Sequence, residues 1–113
     1  MPRYLISFDE GAMTHPEQDF AAVAAAAHAV TREAREAGVW VFAGGLYPPA
    51  DMSVVAPDGS VSDGPEDKAY VGGLTILDVP SREQALEWAA KFAAACRCAQ
   101  EVREVLPDPA VGN

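Results

Sequence analysis

Two histidines, a cluster of acids around Asp-Gly steps, and arginines near opposite ends of the chain are the residues equipped for chemistry. His28 carries an imidazole that titrates near neutrality, the natural general acid or base. Asp63 opens an Asp-Gly-Pro turn, where a carboxylate either bonds its own turn amides or pairs with a histidine and raises its pKa. Glu66, Asp67 and Lys68 follow as a charged loop, either solvated or closing over a pocket as a lid. Arg3 and Arg103 converge on one carboxylate or enolate oxygen if the last strand lies beside the first. The competing reading pairs Arg103 with Glu101, Glu104 or an acid of a second subunit. We therefore assign catalytic roles to His28 and Asp63 and substrate contacts to Arg103, Arg3, Glu66 and Lys68.

Placing these groups is the task of a regular series of elements. Residues 3–8 alternate Tyr4, Ile6 and Phe8 against Leu5 and form a first strand. A helix follows, with Thr14 or His15 as cap, Pro16 in its first turn and Thr14 and Glu17 at capping-box spacing. Its apolar stripe runs through Phe20, Val23, Ala27, Val30 and Ala34 and stops at Gly38. His28 falls off that stripe, so a solvated or interface histidine is the alternative to a catalytic one. Strand two spans residues 39–46. Met52 to Ala56 and Ser60 to Ser62 flank Pro57-Asp58-Gly59, a hairpin turn, which makes Asp58 a turn residue. Tyr70 to Val79 is the next strand, with Gly72-Gly73 marking a bulge or a close backbone approach. Ser81 and Gln84 cap a second helix carrying Ala85, Ala89, Phe92 and Cys96 on one stripe, and residues 101–106 form the last strand.

This order is the ferredoxin-like βαββαβ pattern with an extra β-hairpin: an α+β fold with an antiparallel sheet and two helices on one face. We expect one domain over residues 1–106 and a loosely held tail over 107–113. The strands containing Trp40, Phe42, Leu74 and Ile76 are apolar on both sides, more than a sheet covered on one face can bury. A second copy packed on the bare face, a homodimer, is the simplest cover.

Seventeen acidic against eight basic residues give a net charge of −9, which repels a phosphate backbone and an anionic membrane surface. Nucleic acid and membrane are thus poor partners, and a cytoplasmic protein acting on a small molecule is expected. Cys96 and Cys98 are too close for an unstrained disulfide, which predicts reduced thiols. They also lack the paired spacings of a structural zinc site, so we assign no metal. No dinucleotide fingerprint, phosphate loop or nucleophile elbow is present, and no cofactor is assigned.

DGSVSDGP, then GGLTILDVPSREQALEWAAKFA, then EVREV, together with GVWVFAGGL after the first helix, resemble the YCII-related, DGPF-type family of dimeric α+β barrel proteins. The resemblance covers nearly all of the chain. It implies a ferredoxin-like dimer with acid and histidine groups in a cleft, and some relatives are similar in placing a histidine on the first helix, paired with an aspartate. Glu66 stands where the family has phenylalanine after Asp-Gly-Pro, and the following loop is shorter.

Two functions are open from sequence. One is a cofactor-independent isomerase, lyase or hydrolase that moves a proton on a small anionic or carbonyl-bearing molecule, with His28 and Asp63 as a pair and Arg103 steadying negative charge. The other is a non-catalytic homodimer that binds a small ligand or a protein through the loop from Asp63 to Lys68.

Overall fold

The computed structural model describes residues 1–113 and contains, in order, β1 (Arg3–Asp9), α1 (Phe20–Glu36), β2 (Trp40–Gly45), β3 (Val54–Val55), β4 (Val61–Ser62), β5 (Val71–Asp78), α2 (Arg82–Cys96) and β6 (Glu101–Glu104). Four strands form one antiparallel sheet in the order β2-β5-β1-β6, while β3 and β4 pair only with each other. This is the ferredoxin-like α+β arrangement with an added hairpin. Both crossovers return over the same face, so α1 and α2 lie side by side on one side of the sheet.

Strand alternation sorts the side chains. Tyr4, Ile6, Leu77 and Thr75 point toward the helices and are buried, meeting Val30 and Ala34 of α1 and Ala85, Ala89 and Phe92 of α2. Alanine at those helical positions lets both helices lie close to the sheet, which leaves few large side chains in the core: Ile6, Leu77 and Val79 are the largest that are fully buried. Leu5, Leu74, Ile76 and Phe42 point the other way, toward the uncovered face. The first three are half-buried, but Phe42 is 56% exposed.

Strict alternation would put Trp40 and Phe42, two apart, on one face, yet Trp40 pairs with Leu77 and Phe42 with Ile76, so Val41 is an extra residue in the strand. The bulge turns Trp40 inward, against the core and under the Arg35 guanidinium at 5.4 Å, while Phe42 stays outside. Nor does the expected capping box at Thr14 and Glu17 form. Pro16 is extended (ψ 148°), a short 3-10 turn covers Glu17–Asp19, and α1 starts only at Phe20, which is 67% exposed and no part of the stripe. Asp19, at the cap position, turns instead to Arg97, whose Nη1 donates to Oδ2 at 2.8 Å.

The second helix starts as its sequence dictates, with Ser81 Oγ accepting from the Gln84 N–H at 3.2 Å. Its end is less obvious: Arg97, not glycine, takes the left-handed conformation (φ 58°) that closes the helix. Gly72-Gly73 does mark a close approach. A Cβ on Gly73 would lie 2.5 Å from the Phe8 ring, and one on Gly72 would lie 2.9 Å from Glu10 Cα, where the β1–β5 register shifts. The tail forms a 3-10 turn at Pro109–Val111, capped by Asp108, and Asn113 Oδ1 accepts from Arg3 Nη1 at 3.2 Å.

Candidate functional site: a rim cavity and a helix-sheet cleft

Between β2 and β5 the chain makes a 25-residue excursion, residues 46–70, whose tip is the β3–β4 hairpin. Its turn follows from sequence: Asp58 Oδ1 accepts from the Ser60 N–H at 2.9 Å, and Gly59 supplies the left-handed residue (φ 87°). That hydrogen bond holds the Asp58 carboxyl below its ordinary range, the mark of a carboxylate used to build a turn. The base of the excursion is anchored by Leu46 N–H donating to Gly72 O at 2.8 Å and Glu10 N–H donating to Tyr70 O at 2.7 Å.

Where the two legs separate from the sheet, they enclose a cavity of about 590 Å³. The returning leg supplies Asp63, Glu66, Lys68 and Tyr70; the outgoing leg supplies Met52, and the end of β1 supplies Asp9 and Glu10. Tyr70 stiffens the wall by donating its hydroxyl to Pro65 O at 2.7 Å, and Lys68 Nζ lies 5.2 Å from the Tyr70 ring centre. Gly64 is needed here because a side chain would run into Met52 and the Tyr70 hydroxyl. None of the four carboxylates forms an ion pair within the chain; the three salt bridges lie elsewhere. Four carboxylates against one ammonium make this a site of negative potential, suited to a cation.

His28 lies in a different place. It is exposed on α1 and lines a cleft of about 340 Å³ between the two helices and the sheet, with Thr31, Trp40, Thr75, Phe92 and Cys96. Gly45, with no atom within 4 Å of where a Cβ would stand, leaves space there. Thr31 Oγ1 donates to Ala27 O at 3.1 Å. The cleft and the rim cavity have no lining residue in common, so one chain does not bring His28 and Asp63 together. Burial pushes the thiols of Cys96 and Cys98 up from their ordinary pKa, which keeps them protonated and weakly nucleophilic at neutral pH. No cluster of three or more His, Cys, Asp or Glu side chains is arranged to hold a metal ion. His15 is half-buried beside Phe20, with ring centres 6.4 Å apart and its Nδ1 unpartnered.

The two arginines share the uncovered sheet face but do not converge. Arg3 is engaged by Asp78, Nε to Oδ1 at 2.8 Å and Nη2 to Oδ2 at 3.0 Å, a bidentate pair across neighbouring strands. Arg103, opposite Leu5, is exposed and has no acidic partner within the chain. Glu104 is unavailable to it because alternation carries Glu104 to the helix side, where it accepts from Tyr4 OH at 3.1 Å. Burial, then Glu104, push the Tyr4 phenol upward. Arg3 holds the Asp78 carboxyl below the ordinary range, so Asp78 contributes stability above its unfolded pKa of about 3.9 and loses it as pH falls through the lower folded value. The melting temperature of Asp78→Asn should therefore fall less steeply than that of the wild type between about pH 5 and pH 2. Parallel melting curves for the two proteins across that range would count against the pair.

Sequence reasoning placed Asp63, Glu66 and Lys68 together but missed Asp9, Glu10, Met52 and Tyr70. A signal for two of them existed: antiparallel pairing of β1 with β5 must bring the end of β1 beside the start of β5.

Together these features describe a ferredoxin-like α+β domain whose cavities lie at the sheet rim and beneath the helices. The YCII-related domain model matches residues 4–107, which include both long helices and, apart from Arg3, every strand, and the chain belongs to that family. No curated protein matches the chain.

Proposed function

We propose that the protein is a homodimer that binds a small amine-bearing molecule in the rim cavity. The observation that carries this reading is the gathering of Asp9, Glu10, Asp63 and Glu66, all free of internal ion pairs, around one space of about 590 Å³. An anionic substrate would meet those carboxylates with only Lys68 in its favour, which favours a cation here over the anionic or carbonyl-bearing molecule expected from sequence. The dimer is supported by Leu5, Leu74, Ile76 and Phe42 on the sheet face opposite the helices, an apolar surface that a second copy can bury. Residues 1–106 carry every element of this reading, with 107–113 a tail. A net charge of −9 favours small ligands over nucleic acid, no helix is long and apolar enough to cross a membrane, and we place the protein in the cytoplasm.

Calorimetric titration tests the binding. A diamine is expected to bind the wild type, and Asp63→Asn to weaken it about tenfold or more, the scale of one charge-assisted hydrogen bond. A matched dicarboxylate should not bind. Binding of the dicarboxylate in preference to the diamine would reverse the charge assignment.

A second reading is favoured by the position of His28. Exposed at a cleft beside Thr31 and Thr75, it has room to move a proton on a carbonyl-bearing molecule without a cofactor. In that reading Asp63 of the same chain is not its partner, and Arg103, on the far side of the sheet, stabilises no charge in the cleft. Diamine binding that survives His28→Ala separates the two sites.

A further inference from the structure

The excursion between β2 and β5 is an unusual object for a protein of this size. Its tip is held by two residue pairs, Val54↔Ser62 and Val55↔Val61, and its strands pack appreciably on nothing but each other. The hairpin exposes Val54, Val55 and Val61 by 40%, 66% and 65% on a molecule only 18 Å thick and 44 Å across. A lone two-stranded hairpin is marginal in water, and three solvent-facing valines do not help it. The apolar surface also continues inward. A groove of about 330 Å³, walled by Leu46, Tyr47, Pro48 and Val71 among others, lies at the base of the excursion, beside the end of β2, the strand that carries Phe42 on the uncovered face.

We infer that residues 46–70 are a dimerisation arm: the hairpin of each copy packs over the uncovered sheet face of the other, and the partner seated in the groove fixes one wall of the rim cavity. This extends the homodimer proposed above, on which it rests, from the sheet to the arm and makes the cavity depend on the partner.

Area and charge both single out a second copy as the occupant. Phe42, Leu46, Tyr47, Val54, Val55 and Val61 are all exposed. At roughly 100 Å² of apolar surface apiece they come to about 600 Å², most of the roughly 800 Å² per partner that a stable interface buries. Half-buried Leu5, Leu74 and Ile76 add to it. The arm carries Asp51, Asp58, Asp63, Glu66 and Asp67 against Lys68 alone, whereas on the sheet face Arg3 and Arg103 balance Asp78 and Glu101, and Arg103 is in no ion pair. An acidic arm over a face bearing an unpaired arginine gives local attraction where the net charges repel. One two-fold arrangement covers both exposed surfaces at once. The coupling to ligand follows from shared walls, since Pro49, Met52 and Tyr70 line both the groove and the rim cavity. Seating a partner in one therefore sets the shape of the other.

Sedimentation equilibrium of the full chain tests the arm, with circular dichroism as the check on folding. The double variant Val55→Asp, Val61→Asp is expected to raise the dimer dissociation constant at least tenfold while keeping the wild-type spectrum. Replacement of residues 54–61 by two glycines should do the same and serves if the aspartates disturb the fold. Diamine affinity in either variant should fall at protein concentrations where the wild type is still dimeric. An arm variant that dimerises like the wild type, while Phe42→Glu dissociates, overturns the arm and leaves the sheet dimer standing. A wild type that is monomeric at about 100 µM overturns both. Diamine binding that is indifferent to the arm variants, despite their dissociation, overturns the coupling.

Discussion

Leu77→Ala is expected to remove about 3 kcal/mol of folding stability, within the range found when a large buried aliphatic side chain is truncated. Leu77 is completely buried at the centre of the sheet, paired with Tyr4 on one side and Trp40 on the other. The cost should lie well above the minimum because the surroundings cannot close over the gap. Ala34, Ala85 and Ala89 have no side-chain length with which to fill it, and the sheet backbone is fixed by ladders on both sides of β5. A domain of this size has a total stability of about 5–15 kcal/mol, so the loss is a large share, corresponding to a fall in melting temperature of roughly 10 °C or more. Urea unfolding at a fixed protein concentration measures it, since a dimer makes apparent stability concentration-dependent. A loss below about 1 kcal/mol would mean that the helix layer does not seal this face.

Phe42→Glu is expected to weaken the proposed dimer by about 100-fold, close to 2.7 kcal/mol. Phe42 is the exposed end of an apolar row in which Ile76 and Leu5 follow in register, so the two-fold contact loses its aromatic anchor and acquires a carboxylate on each subunit. Like charges facing each other across a desolvated patch add to the loss. The monomer itself should fold normally, because Phe42 already faces solvent and contributes nothing to the helix-side core. Light scattering at micromolar concentration, with the wild type beside it, reads the change. A variant of unchanged mass would show that the sheet face is not the interface. Trp40 offers a control: the bulge turns it into the core, so Trp40→Ala should destabilise the fold instead of the dimer.

The site was legible in part. The loop from Asp63 to Lys68 could be placed at a sheet rim because turn chemistry is local: an Asp-Gly-Pro step and charged residues just before an apolar strand leave few alternatives. What it faces was not, because Asp9 and Glu10 enter the cavity through the β1–β5 register, a relation between segments about sixty residues apart. The separation of His28 from Asp63 was equally hidden. Helical periodicity sets which side of α1 carries His28, but the direction in which the arm leaves the sheet decides that Asp63 lies at another cavity.

By itself the sequence determined the order of the strands and helices, the α2 cap at Ser81 and the hairpin turn at Asp58-Gly59, since each depends on residues a few positions apart. Only the tertiary structure decided the inward turn of Trp40 and the pairing of Arg3 with Asp78. In both the deciding partner is distant in sequence: pairing with β5 places the bulge in β2, and antiparallel pairing delivers Asp78 to Arg3. Local chemistry selects among conformations a residue can adopt alone, whereas competition among distant partners settles which of them survives in the fold.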